Sequence, residues 1–219
     1  MKIIKYFLKK LRFLVLRNQR EVNISNVLER LIKKDKKNIN ILDFGSGKDP
    51  IIAKYLINKF KKKSVNVKID CYDFYNKKTL KFLNKHNQFL NFYDVREFYK
   101  NKKNYDYSLI IDVLHHVGVD NTNDINKILK NLKKKSKIVI IKDHFEWSFF
   151  SRILLIFMDF IGNYHNDVFI PNKYFTQYQF NEILSKNDIT IKKKFLNKRY
   201  HSKIFLFLSN PKLHFIYVV

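Results

Sequence analysis

The sequence predicts an α/β three-layer sandwich, with a mostly parallel seven-stranded sheet between helices and an antiparallel terminal strand. Three observations predict it. Short apolar runs alternate with segments whose apolar residues return at helical spacing, and this βαβα order favours parallel strands joined by crossover helices. The runs at 107–111 and 137–141 are apolar almost throughout, as strands buried on both faces are. Two closing strands, 190–195 and 203–208, lie close enough in sequence to pair antiparallel.

The elements follow in order. A basic, apolar helix over about 1–20 carries Ile4, Phe7, Leu8, Leu11, Leu14 and Val15 on one stripe. Charge interrupts it too often for a membrane span, and no small-residue cleavage site follows. Two roles stay open for it: packing over the domain beside a ligand entrance, or lying on an anionic membrane surface. A second short helix is expected at 27–34, a lysine turn at Lys36-Lys37, and the first strand at 39–42. Pro50 suits a first helical turn, and Ile52, Tyr55, Leu56 and Phe60 supply that helix's apolar face. Residues 65–69 alternate as a strand that ends at 71–74. A helix at 77–83 and a strand at 89–92 come next.

After the strand at 107–111, Ile125, Ile128, Leu129 and Leu132 mark a helix over 123–132, which leads into the strand at 137–141. Residues 147–160 read as an apolar core or lid helix, too short to span a membrane, inside an insertion of about 144–175. Thr176 begins the last helix as its cap candidate. No period recurs and no linker rich in Gly, Pro or Ser interrupts this order, so residues 1–219 are expected to form one domain.

Composition bounds the surroundings. Lys and Arg number 44 against 19 Asp and Glu, a net charge of +25 that attracts phosphates. The lysines are spread over nearly every segment, beside abundant Asn, Ile, Phe and Tyr, so compositional drift with a solvated lysine surface accounts for most of it. Cys71 is the single cysteine, which rules out an internal disulfide and a cysteine zinc site. No metal is expected. The cytoplasm is the expected compartment, with peripheral membrane attachment as its variant.

Chemistry concentrates at the expected strand ends. Asp43-Phe44-Gly45-Ser46-Gly47 follows the first strand, and its glycines let the backbone turn sharply and approach a ligand. It is not a phosphate loop, because Lys48 is followed by Asp49 rather than Ser or Thr. Asp73 ends the second strand, Asp94 the third, and Asp112-Val113-Leu114-His115-His116 the fourth. Asp143-His144-Phe145 ends the fifth.

This ordered set resembles the class I S-adenosylmethionine-dependent methyltransferases of the small-molecule type. Their first motif is an apolar strand followed by Asp-x-Gly-x-Gly, present here over 42–47, although Asp49 stands where a third glycine is frequent. The fourth-strand signature, Asp-x-Leu-His-His, is the strongest second match. The resemblance implies a Rossmann-like fold and S-adenosylmethionine as cofactor. It implies that Asp43 organises the glycine loop and the methionine amine side, and that Gly45 and Gly47 admit the cofactor backbone. Asp73 would bind the ribose hydroxyls, with Asp70 the competing choice; Asp94 would accept from the adenine amine, and Asp112 and Val113 would border the cofactor. Lys133-Lys134-Lys135-Ser136 replaces the family's usual glycine turn before the fifth strand.

For the acceptor, His116, His144 and His165 are the candidate bases, since neutral imidazole accepts a proton near physiological pH. Asp159, Asn163 and His165 also suit plain loop organisation by hydrogen bonding. The expected reaction is methyl transfer to a small apolar or aromatic acceptor, at oxygen ahead of carbon. An RNA methyltransferase that holds phosphates on its basic surface is the alternative. A dehydrogenase fits worse, because Asp49 and Pro50 interrupt a fuller glycine turn. A non-catalytic membrane module is the remaining class.

Overall fold

The computed structural model describes residues 18–32, 36–163, 168–196 and 210–219. Helix α1, Asn18–Leu31, precedes β1 (Asn38–Phe44), α2 (Ile51–Lys61), β2 (Asn66–Asp73), α3 (Lys77–His86) and β3 (Leu90–Asp94). Then come α4 (Val95–Lys100), β4 (Tyr105–Ile111), α5 (Leu114–Val117), α6 (Thr122–Lys135) and β5 (Ser136–His144). The chain closes through α7 (Phe149–Asn163), α8 (Gln177–Lys186), β6 (Lys193–Leu196), a 3₁₀ turn at Pro211–Leu213 and β7 (His214–Val218).

The seven strands lie in the order β3-β2-β1-β4-β5-β7-β6. The first five are parallel, and β7 runs antiparallel to both β5 and β6. The strand order reverses between β1 and β4, the switch point at which open α/β sheets bind ligands beyond their carboxyl ends.

Alternation along the strands divides the core in two. Leu42 and Phe44 face a layer containing Phe98, Ile125, Leu129 and Phe180 from α4, α6 and α8. Ile39 and Ile41 face Ile24, Leu28, Ala53, Leu56 and Phe60 from α1 and α2. Full burial of each of these Ile, Leu and Phe side chains contributes about 1.5–3 kcal/mol. A third, smaller cluster joins Leu155, Met158 and Ile161 of α7 to Tyr174 and Leu213.

Several elements differ from the sequence expectation. The helix expected at 27–34 begins at Asn18, because Ile24 and Leu28 find a partner face on α2 that local pattern does not reveal. Helix α4 was not anticipated: Asp94, expected as a strand end and an adenine contact, caps it by accepting from the Arg96 amide at 2.9 Å. Thr176 does cap α8, in a full capping box with Gln179. Among the described residues the strand at Lys193–Leu196 pairs antiparallel with β7, which also lies antiparallel to β5. Residues 203–208 lie outside the described residues, as does the body of the helix expected over about 1–20. Among the described residues no helix is long and apolar enough to cross a membrane.

Candidate active site

The carboxyl ends of β1, β2, β4 and β5 meet at one edge of the sheet. After β1 the backbone turns through Gly45 at φ +78° and Gly47 at φ +71°, in the left-handed region that glycine enters without a Cβ penalty. The Gly45 amide donates to the Tyr72 carbonyl at 2.7 Å, and the Gly47 amide donates to Asp73 Oδ2 at 2.6 Å. The Tyr75 hydroxyl donates to the Gly47 carbonyl at 2.5 Å. The loop is thus pinned to the end of β2 at both glycines.

Asp43 is buried at the base of this loop. Burial, and then the charge of Asp73, push its carboxyl up from the ordinary value of 3.8 to about 7. A buried acid facing a second acid suits a ligand that brings positive charge, and a Cβ on Gly47 would project into open space with nothing within 4 Å. These two features fit a cationic, adenosine-bearing sulfonium.

The two candidate ribose acids separate clearly. Asp73 stands at the strand end, where its carboxylate takes the Gly47 amide and, at 2.6 Å, the Phe74 amide, leaving further lone pairs at the rim. Asp70 lies deeper in β2 and is taken by Asn91 Nδ2 at 2.8 Å, Lys103 Nζ at 3.0 Å and the Tyr105 hydroxyl at 2.8 Å. Asp94 is clamped by Arg96, Nε at 2.6 Å and a terminal guanidinium nitrogen at 3.0 Å. The guanidinium holds the Asp94 carboxyl below the usual carboxylate range. That clamp occupies both of its oxygens, so the geometry shows a helix cap before it shows an adenine contact.

Asp112 follows β4 with φ +55°, an uncommon conformation for a residue with a side chain. Its carboxylate pairs with Arg20 of α1 and with Lys142 of β5, and lies 3.1 Å from His144 Nε2. Lys142 and His144 are buried, and burial holds both well below their ordinary pKa values, with Arg20 adding to the effect on Lys142 and Lys142 to that on His144. Val113 sits directly behind Gly45.

The histidines occupy three different situations. His115 is fully buried between two carboxylates, with Nδ1 2.5 Å from Asp143 Oδ1 and Nε2 3.2 Å from Asp159 Oδ2. Burial alone would lower its pKa, but Asp143 and Asp159 outweigh that and raise it to about 9. Asp159 also accepts from the Tyr174 hydroxyl at 2.5 Å. His116 is only partly buried; its Nδ1 lies 2.8 Å from the Phe169 carbonyl, and burial, then His115, lower its pKa to about 4. It is therefore a neutral ring. His144 faces inward against Asp112 and Lys142 and is 4 % exposed. His165 lies outside the described residues.

Sequence reasoning missed Arg20 and Lys142, and ranked His115 behind His116. His115 stands in α5, the turn of helix after β4, and its Nδ1 reaches Asp143 at the end of the neighbouring parallel strand β5. Helix α7 meets His115 through Asp159 and turns Phe149, Ile153 and Phe157 to solvent at i, i+4 and i+8, with Phe150 and Phe169 also exposed.

The comparisons with known proteins follow the same line. A family model described as a methyltransferase domain matches residues 16–192. No curated protein sequence matches. Among solved structures, a SAM-dependent methyltransferase from Archaeoglobus fulgidus is similar at TM-score 0.61 and 16 % identity, covering 97 % of this chain and 98 % of that one. The mitomycin 7-O-methyltransferase MmcR is similar at TM-score 0.60 and 12 % identity, covering 91 % of this chain and 52 % of its own. An O-methyltransferase family 2 protein from Planctomyces limnophilus, solved with apigenin, is similar at TM-score 0.60 and 12 % identity, covering 90 % and 55 %. This chain thus spans about half the length of the last two. With the family model spanning residues 16–192 and the sheet in the order β3-β2-β1-β4-β5-β7-β6, the chain belongs to the class I methyltransferases and takes S-adenosylmethionine as its cofactor.

Proposed function

We propose that this enzyme methylates an oxygen of a small apolar or aromatic molecule. The observation that carries the reading is the situation of His116: a neutral, partly exposed imidazole beyond β4, on a residue whose amide donates to the carbonyl of Val113, the residue packed behind Gly45, and whose Nδ1 meets the Phe169 carbonyl.

When bound, the cofactor supplies an electrophilic methyl group on a sulfonium, whose carbon–sulfur electron pair returns to sulfur on transfer. The chain's work is to place the two reactants in line and to receive a proton. Asp43, Gly45, Gly47 and Asp73 are the residues that would hold the cofactor, with Val113 setting the depth of the loop. Asp112, engaged by Arg20, Lys142 and His144, would shape the pocket floor. His116 meets the acceptor hydroxyl and takes its proton. Phe149, Phe150 and Phe169 offer an apolar approach for the acceptor. The names of MmcR and of the Planctomyces protein, both oxygen methyltransferases, support oxygen. Others of similar fold are named as a carbon methyltransferase and a cyclopropane synthase, so carbon is the competing atom.

The test is transfer of a labelled methyl group to a panel of hydroxylated aromatics, with bulk RNA as the competing acceptor. Label in the hydroxylated products, lost in Gly47→Ala, supports the reading. Label confined to RNA would replace it with the nucleic-acid alternative.

A further inference from the structure

We propose that His115, His116 and Asp159 form a binding site for a divalent first-row transition ion at the acceptor side of the pocket. The inference rests on the oxygen-methylation reading and deepens it: the ion would activate the acceptor hydroxyl that His116 otherwise meets alone.

The three side chains come from α5 and α7, elements distant in sequence. One ring nitrogen of each histidine and one carboxylate oxygen of Asp159 lie within 4.8 Å of one another. His115 Nε2 is buried and lacks a hydrogen bond, yet it points at Asp159 Oδ2 from 3.2 Å. Two donors that each stand about 2.1 Å from one ion are separated by roughly that distance. Two imidazoles with one carboxylate and open remaining positions form a donor set used by iron, zinc and related ions.

The surroundings are those of metal ligands. A ligating histidine almost always donates its other ring N–H to a carboxylate or carbonyl, which fixes the tautomer. His115 Nδ1 meets Asp143 at 2.5 Å, and His116 Nδ1 meets the Phe169 carbonyl at 2.8 Å. The free lone pair of the neutral His116 ring is then on Nε2. Asp159 is itself oriented by the Tyr174 hydroxyl at 2.5 Å. Charge also balances, since Asp143 and Asp159 together offset a divalent ion, while Asp112 holds Arg20 and Lys142 on its own carboxylate.

Bound there, the ion accepts a lone pair of the acceptor hydroxyl and releases its proton to solvent. The oxygen so activated would take the methyl group while the carbon–sulfur electron pair returns to sulfur, giving the methyl ether and a neutral thioether.

The experiment is titration of the full chain with Co²⁺ and Zn²⁺, read by calorimetry and by the visible absorption of Co²⁺, with Mg²⁺ as the control. One ion per chain is expected. His116→Gln, at a partly exposed site, keeps the fold by circular dichroism and weakens binding by more than the roughly 10–100-fold expected for removing an outer partner through Asp143→Asn. His144→Gln leaves the affinity unchanged. No stoichiometric binding by the parent chain, or equal affinity in His116→Gln, overturns the proposal; loss confined to His144→Gln does so too, by moving the site to His144. S-adenosylmethionine titrated into the same samples separates the two readings. Cofactor binding without metal binding sinks only the ion site, whereas metal binding without cofactor binding sinks the methyl-transfer assignment.

Discussion

Gly45 packs so tightly against Val113 that a Cβ on the glycine would stand 2.2 Å from Val113 Cγ2. The first-strand glycine loop and the fourth-strand signature are therefore two halves of one contact. Gly45→Ala must move Val113 as well as strain a backbone at φ +78°. It is expected to lose about 2–4 kcal/mol from left-handed strain and overpacking together, read by urea denaturation.

Gly47→Ala separates folding from binding. Its φ of +71° carries the same strain, about 1–2 kcal/mol, but the new methyl group meets only open space. The variant is expected to stay folded at 25 °C while its calorimetric affinity for S-adenosylmethionine drops at least tenfold. Unchanged affinity would place the cofactor elsewhere.

Asp43 makes cofactor binding depend on pH. Its folded pKa of about 7 lies above the ordinary 3.8, so the native state keeps a proton that the unfolded chain has released across that window. Its contribution to stability therefore falls as pH rises from about 4 to 7 and is level above. A cationic ligand reverses the preference by favouring the carboxylate. Affinity for S-adenosylmethionine is expected to be about tenfold weaker at pH 6 than at pH 8. Asp43→Asn should flatten that dependence and bind weakly throughout.

Thr176→Ala removes the α8 capping box, far from the glycine loop in function. The expected cost is about 1 kcal/mol, seen as a lower Tm, with cofactor affinity unchanged. A parallel loss of affinity would mean that α8 communicates with the pocket.

The exposed aromatics of α7 test the apolar approach. Phe149 and Phe150 are 74 % and 76 % exposed, so replacing both with Ser should shift stability by no more than about 0.5 kcal/mol per site. The KM for an apolar acceptor is expected to rise while S-adenosylmethionine affinity holds. If KM stays level, the acceptor enters by another face.

Much of this protein was written locally. Period-two and period-3.6 apolar patterns located all of the first five strands, because a strand buried on both faces and a helix with one apolar stripe advertise themselves residue by residue. Gly45 and Gly47 were legible for the same reason: a turn that needs positive φ and close approach demands glycine at fixed spacing. The start of α1 and the existence of α4 were not, since the first depends on the face of α2 and the second on a cap shared with a strand end.

The tertiary structure decided what the charged groups do. Asp70 and Asp73 look interchangeable three residues apart, yet one is enclosed by Asn91, Lys103 and Tyr105 and the other meets Gly47 at the rim. The adjacent His115 and His116 diverge further: two carboxylates from β5 and α7 surround the first, while a carbonyl at Phe169 engages the second. Sequence by itself determined where the strand-end acids and histidines would fall, because strand periodicity is local. Which of them is buried, which is paired and which faces the pocket was settled only by residues brought from far along the chain, because electrostatic environment is a property of neighbours in space.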